Sequence, residues 1–158
     1  MISLKREHYS DNFVCSLPLI TLFLFCFLAG VVQAQSALNI TVNKTPYCGC
    51  CKQWMAHLQA NGFMVSGKDV DDTAPVRASL GMPAKLGSCH TAVINGYVIE
   101  GHVPAEDIKR LLKEKPKALG LAVPGMPLGS PGMESANPQP YETLLVMKDG
   151  STKVWARH

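Results

Sequence analysis

The sequence has little charge and no dense cluster of one sign. Asp, Glu, Lys and Arg make up 17% of its 158 residues, and the formal net charge is +3. The lysines are scattered apart from Lys113, Lys115 and Lys117, a group that we interpret as a solvated helix end. A nucleic-acid interface requires a much denser basic patch, so we expect no nucleic-acid partner. The hydrophobic content of 47% predicts a globular chain and not a disordered one.

Long apolar runs are missing apart from one near the N-terminus. Residues 13–32 are uncharged and end in Val-Gln-Ala at 32–34, which places small residues where signal peptidase cuts. About 20 apolar residues could instead anchor the chain in a bilayer, but a proline and a glycine within the run and the cleavage motif argue against that. The sequence therefore predicts a signal peptide at 1–34 and a periplasmic domain at 35–158, beginning at Gln35, with no stable membrane anchor.

Cysteine is scarce after that segment. The chain has six cysteines, of which Cys15 and Cys26 lie in the predicted signal peptide. A lipoprotein would need a cysteine directly after the cleavage motif, and the residue there is Gln35. All later thiol chemistry therefore rests on four residues: Cys48, Cys50, Cys51 and Cys89.

The apolar pattern predicts one mixed α/β domain. Asn95-Gly96 between two short apolar runs predicts a β-hairpin, and the spacing of Trp54, Met55 and Leu58 predicts a helix. The predicted order is β-α-β-(α)-β-β-α, with the cysteine motif between the first strand and the first helix, which is typical of a thioredoxin-like domain. The predicted strands are 38–42, 63–70, 92–94 and 97–99, and the predicted helices begin at 51, 74 and 104.

The last part of the chain contains a long segment rich in glycine and proline, 119–140. We predict a shaped loop there, and neither a long helix nor a central strand. The loop repeats Pro-Gly-Met at 124–126 and 131–133. Two apolar runs, 141–147 and 152–156, then predict a closing hairpin. The expected fold is thus a thioredoxin-like α/β domain with a Gly/Pro/Met-rich loop and a C-terminal β-hairpin.

Three cysteines occur within four residues, Cys48-Gly49-Cys50-Cys51, where a strand gives way to a helix N-terminus. Free N–H groups and the helix dipole lower the pKa of thiols at such a position. The resulting thiolate both attacks disulfides and binds metals. The motif alone therefore leaves two chemistries open, disulfide exchange and metal binding.

The middle cysteine distinguishes this motif from an ordinary Cys-x-x-Cys pair. Cys48 and Cys51 have the spacing of thiol oxidoreductases, but Cys50 would offer a wrong disulfide partner. If these positions are helical, Cys50 points about 160° away from Cys48, and one tetrahedral ion could not take all three sulfurs. We therefore expect thiolates that bridge several metal ions, with Cys89 as a fourth sulfur donor. Soft Cu(I) suits such a site.

Structural disulfides and a structural zinc site are alternative roles for the four cysteines. Exported proteins often use cysteines in structural disulfides. Disulfides stabilise most when they close long loops, however, and three cysteines at one turn would close almost nothing. A structural zinc site usually takes paired ligands from two separate segments. Both roles stay open, but they fit the clustering less well than bridged copper does.

Methionines and histidines supply further candidate ligands. Met126 and Met133 lie in the Pro-Gly-Met repeats, where no periodic apolar face exists to bury them, and thioethers bind Cu(I) without deprotonation. Packing of the loop on the domain is the alternative. His90 follows Cys89 directly, and His102 follows the predicted hairpin. Each histidine alone would more often be structural, but beside a thiolate cluster both become candidate metal ligands.

Four segments of the chain carry distinctive motifs: TPYCGCC at 45–51, LGSCHTA at 86–92, GYVIEGHVPA at 96–105 and GLAVPGMPLGSPGME at 120–134. Taken together, these motifs resemble those of the exported CopG-like copper-resistance proteins. The resemblance implies a thioredoxin-like fold that holds a cysteine-bridged cluster of several copper ions in the periplasm. It implies a sulfur core formed by Cys48, Cys50, Cys51 and Cys89. At the edge of this core it implies Met126, Met133 and a histidine of the SCHTA or GYVIEGH segment.

The resemblance favours a role in copper resistance or homeostasis, with other periplasmic copper-handling proteins as partners. It is compatible both with holding Cu(I) and with cycling it to Cu(II), so whether the protein is an enzyme stays open. The alternative function is that of a periplasmic thiol-disulfide oxidoreductase. Thioredoxin-like oxidoreductases carry a cis-proline before the third strand, where this chain has Ser88-Cys89-His90-Thr91. A third possibility is a purely structural module, but that role would not explain why the thiols are clustered.

Overall fold

A seven-stranded mixed sheet is the framework of residues 38–158, the part of the chain that this computed structural model describes. The predicted signal peptide at 1–34 and its cleavage position lie outside the described residues. Within 38–158, no helix is long and apolar enough to cross a membrane. In chain order the elements are β1 (Leu38–Lys44), α1 (Gly49–Ala60), β2 (Phe63–Asp69), α2 (Thr73–Ser79), a 3₁₀ turn (Ala84–Leu86), β3 (His90–Ile94), β4 (Tyr97–Glu100), α3 (Ala105–Glu114), β5 (Gly120–Ala122), β6 (Glu142–Val146) and β7 (Thr152–Arg157).

The strand pairing determines which segments meet. The sheet order is β2-β1-β3-β4-β5-β6-β7; β1 with β2 and β4 with β5 are parallel, and the other pairs are antiparallel. In the register between β1 and β3, Lys44 is opposite His90. The end of β1 and the beginning of β3 therefore lie side by side. This pairing brings the cysteine motif that follows β1 to the cysteine that precedes β3.

The two faces of the sheet bury different clusters. One face packs against α1 and α3, with Trp54 and Ile108 among its fully buried residues. The other face packs against the segment between α2 and β3, including Met82. Val98 and Ile99 are neighbours in β4 but belong to different clusters, because successive strand residues point to opposite faces. The mixed α/β class predicted from the sequence is confirmed.

Strand β5 corrects the prediction of an unbroken loop over 119–140. Its three residues are buried and hydrogen-bonded to β4 on one side and β6 on the other. Three residues are too few to show the alternation by which a strand is recognised in a sequence. Gly120 is required there, because an added Cβ would collide with the carbonyl of Val98. The rest of the segment, 123–140, contains no helix or strand.

Candidate metal centre

The cysteine motif forms the beginning of α1. Cys48 is the N-cap residue, with extended backbone angles of φ −70° and ψ 96°, and its Sγ accepts a hydrogen bond of 3.3 Å from the amide of Cys51. The 160° separation of Cys48 and Cys50 was expected only for helical backbone at both residues, and Cys48 does not meet that condition. Their Sγ atoms lie 3.5 Å apart. The cap therefore turns both side chains toward one side of the helix end.

Cys48 and Cys51 are joined by a disulfide, and their Cα atoms are 5.3 Å apart. Cys50 and Cys89 are free thiols. Cys51 is fully buried, and the other three cysteines are half-buried. All four sulfurs lie within 4.8 Å of one another. Once the disulfide is reduced, four cysteine sulfurs are therefore available in one site.

Cys89 approaches the motif from the segment before β3. Its Sγ lies 3.6 Å from the Sγ of Cys50. Burial raises the pKa of the Cys89 thiol to about 12, and the neighbouring Cys50 adds to the shift. Without a metal this thiol keeps its proton at neutral pH. A metal ion that binds here must displace that proton.

His102 directs one ring nitrogen at Cys89. Its Nε2 is 3.0 Å from Cys89 Sγ, and its Nδ1 is 2.8 Å from the carbonyl oxygen of Pro131. A carbonyl only accepts, so Nδ1 carries the hydrogen and Nε2 keeps its lone pair when the ring is neutral. Burial lowers the pKa of His102, and the Pro131 contact partly offsets this. The neutral ring that results is the form that binds metals.

His90 lies on the other side of the same sulfur. Its Nδ1 is 3.3 Å from Cys89 Sγ, and its ring packs on Trp54 with 4.3 Å between centroids. Burial, with the neighbouring His102, lowers the pKa of His90 to about 3. Within the described residues, its Nε2 is one of two buried side-chain nitrogen or oxygen atoms with no partner in hydrogen-bonding geometry. The imidazole is therefore neutral and only partly satisfied by the protein.

The candidate ligands fall into two overlapping groups. One group is the four cysteines, and the other is Cys89 with His90 and His102. In each group the ligand atoms lie within 4.8 Å of one another. Cys89 belongs to both groups, so its sulfur is the one atom placed to contact ions in either.

The Gly/Pro/Met loop lies across the site. The carbonyl of Gly125 accepts a hydrogen bond from the hydroxyl of Ser88, the residue before Cys89. Gly132 packs on the first turn of α1, where an added Cβ would come within 2.7 Å of the carbonyl oxygen of Cys50. Each predicted methionine ligand directly follows one of these two glycines. Met126 is 52% exposed and Met133 is half-buried, so the glycine before each methionine contacts the site's backbone while neither methionine is part of the core.

Two charged residues that hydrogen-bond to Ser88, the residue before Cys89, were not predicted from the sequence to belong to the site. Arg77 of α2 and Glu100 at the end of β4 form a buried ion pair, with Arg77 Nε 2.7 Å from Glu100 Oε1. A signal was present in the sequence, because Glu100 is a charged residue that ends the apolar run Tyr97-Val98-Ile99. Burial of a charge requires a partner, but periodicity does not show which residue supplies it.

These features define a mixed α/β protein whose sheet carries a candidate metal centre of thiol and imidazole groups. Two solved structures are similar to it, titled "Copper resistance protein copG", Form 1 and Form 2. Each is 45% identical to this chain, with a TM-score of 0.74. The similarity covers 78% of this chain, 98% of the Form 1 chain and 99% of the Form 2 chain. The chain therefore belongs to the CopG family of copper resistance proteins. The family described as "Protein of unknown function, DUF411" matches residues 86–133. The comparison with curated proteins gave no match.

Proposed function

We propose that this protein is a periplasmic copper-binding protein of copper resistance, which holds Cu(I) in a cysteine-bridged cluster of several ions. The observation that carries the proposal is the position of Cys89, whose sulfur belongs to both the cysteine group and the Cys89–His90–His102 group. A thiolate can bind more than one soft ion, so a sulfur common to two ligand groups is suited to bridging. The names of the two similar structures support copper as the metal.

The chemistry of the donors fits Cu(I). Thiolates, thioethers and imidazoles are the ligands that soft copper prefers. The ring of His90 has its Nδ1 atom 3.3 Å from Cys89 Sγ, so this nitrogen is the one that an ion bound to Cys89 would take. We further propose that Met126 and Met133 complete the cluster at its exposed border.

The disulfide also allows the thiols to exchange electrons with copper. Two thiols that form a disulfide release two electrons and two protons. If the acceptors are two Cu(II) ions, two Cu(I) ions result. Conversely, the Cys48–Cys51 disulfide must be reduced before both sulfurs can serve as ligands. We therefore include a Cu(I)/Cu(II) redox role. When reduced protein is mixed with Cu(II), one thiol should disappear for each Cu(I) formed; Cu(I) formed with no loss of thiols would contradict this role.

A second candidate function is thiol-disulfide exchange, and the same disulfide favours it. The chain order supports a thioredoxin-like arrangement, with β1 parallel to β2, antiparallel β3 and β4, and the cysteine motif between β1 and α1. The segment before β3 argues against exchange as the main function. Cys89 lies there, beside the motif, where an exchange enzyme has its docking proline.

Cys89→Ser distinguishes the two functions. Disulfide exchange uses only Cys48 and Cys51, so this variant should keep any reductase activity. Serine is a poor ligand for Cu(I), so the same variant should bind fewer ions and bind them more weakly. Copper content and insulin reduction are measured on the same reduced preparations of wild type and variant. If the variant binds copper like the wild type while both reduce insulin, the exchange function replaces the copper function.

A further inference from the structure

The segment that carries Cys89 is held by the buried pair Arg77 and Glu100. Glu100 is fully buried, and the Arg77 side chain is 10% exposed. Oε1 of Glu100 accepts from Arg77 Nε and from the amide of Ser88, each at 2.7 Å. Oε2 accepts from the hydroxyl of Thr91 at 2.6 Å. One carboxylate therefore holds the residue before Cys89 and the second residue after it.

Arg77 completes the attachment. Its Nη2 donates to the carbonyl of Ser88 at 2.7 Å, while its Nε binds Glu100. Both backbone polar groups of Ser88 are thus bonded to the ion pair, and its hydroxyl bonds to Gly125 in the methionine loop. No rotation of the Ser88 backbone is possible without breaking a charge-assisted hydrogen bond, and these are the stronger kind.

We propose that Arg77 and Glu100 are positioning residues that fix Cys89 within reach of Cys50 and His102, so that the site is preorganised before copper arrives. Within the described residues, neither side chain hydrogen-bonds to a sulfur; both act through the backbone of Ser88, and Glu100 also through the hydroxyl of Thr91. A buried ion pair is not required for stability, since apolar residues of similar size often replace one without loss. Apolar residues could not provide the attachments that this pair makes to Ser88 and Thr91.

The proposal is tested by copper affinity and by the rate at which Cys50 and Cys89 are cross-linked. The first measurement rests on the proposed copper function, and the second does not. In metal-free protein with Cys48 and Cys51 oxidised, diamide takes two electrons and two protons from Cys50 and Cys89 and joins them in a disulfide. The rate of that reaction, followed by peptide mapping, reports how well Cys89 is held near Cys50. If wild-type protein binds no copper, the copper function fails while this rate still tests the positioning role.

Two variants and one control complete the test. Arg77→Lys keeps the buried charge but loses the fork that binds Glu100 and Ser88 together, and Arg77→Met with Glu100→Met removes both charges at once. The control, Asp107→Asn, alters another buried carboxylate, which binds Thr143 and His158 and no residue of the site. Arg77→Lys is the milder change and decides the question if the double variant does not fold.

We expect slower cross-linking in both Arg77 variants. We also expect their Cu(I) affinity to be lower by about 10- to 100-fold, which is the range typical of changes to groups that orient metal ligands. The control should cross-link and bind copper like the wild type, at temperatures where all proteins are folded. Wild-type cross-linking and copper binding in the folded Arg77 variants would overturn the positioning role. It would also be overturned if Asp107→Asn lost copper affinity to the same extent, since the effect would then be general destabilisation.

Discussion

The Sγ of Cys89 lies 3.0 Å from Nε2 of His102, although the two residues are 13 positions apart in the chain. The antiparallel pairing of β3 and β4 is the reason, because Cys89 precedes β3 and His102 follows β4. The hairpin thus places the segment that follows β4 beside the segment that precedes β3. A thiol and an imidazole that would each be ordinary alone thus become neighbours in one candidate site.

The first prediction concerns His102. His102→Gln should lower Cu(I) affinity by at least about tenfold, because the glutamine side chain does not present an imidazole nitrogen to the ion shared with Cys89. Cu(I) binding is measured under anaerobic conditions against a chelator. The matched control is His57→Gln on α1, since His57 accepts a hydrogen bond from the amide of Ala105 and not from the cysteine site. Equal affinities of the two variants would remove His102 from the ligand set.

The second prediction concerns the loop methionines. Met126→Leu with Met133→Leu conserves side-chain volume, so melting of the metal-free protein should change little while Cu(I) affinity falls. Met64→Leu on β2 is the control, because Met64 is exposed at 62% and pairs with Asn39 near the beginning of β1, whereas the cysteine motif follows the end of β1. Lost stability with unchanged copper affinity would instead show that the loop methionines serve packing.

The third prediction tests the unexpected strand. Gly120→Ala should lower the free energy of unfolding by about 1–3 kcal/mol, because the added Cβ collides with the Val98 carbonyl. Gly49→Ala, where an added Cβ meets no atom within 4 Å, should change it by less than about 1 kcal/mol. Urea denaturation of both metal-free variants gives the comparison. Similar stabilities would mean that the close approach of β5 to β4 does not constrain residue 120.

Export is the fourth prediction. Intact mass of protein recovered from a periplasmic extract should correspond to a chain beginning at Gln35, because the Val-Gln-Ala motif at 32–34 is placed for signal peptidase. The membrane fraction is analysed in parallel. A chain that retains residues 1–34 and stays in that fraction would show that the apolar run is an anchor.

The sequence was sufficient for the mixed α/β class and for placing Cys89 in the segment before β3, because the order of strands and helices along the chain follows from local patterns. It was insufficient for the direction of side chains at the helix end. The expected 160° separation assumed helical angles at Cys48, whereas this residue is an extended N-cap. Helical rotation applies only to residues within the helix, so a site at a helix end depends on cap geometry that spacing does not give.

The buried ion pair shows a second limit. Arg77 and Glu100 are 23 residues apart and lie on different elements, so no periodic pattern joins them. Their contact depends on the tertiary packing of α2 against the sheet. Sequence patterns predicted the thiol and imidazole groups of the candidate site, while the hydrogen bonds from Arg77 and Glu100 to Ser88 appeared only with the fold.

The bridged copper cluster is best tested by an anaerobic Cu(I) titration of reduced, metal-free protein, with the bound ions counted per chain. We predict saturation above one equivalent, because two ligand groups share the sulfur of Cys89, together with the thiolate-to-copper absorption of bridged sites. All four sulfurs lie close enough for one ion, so the count alone distinguishes a single site from a cluster. Saturation at one equivalent per chain would contradict the bridged cluster.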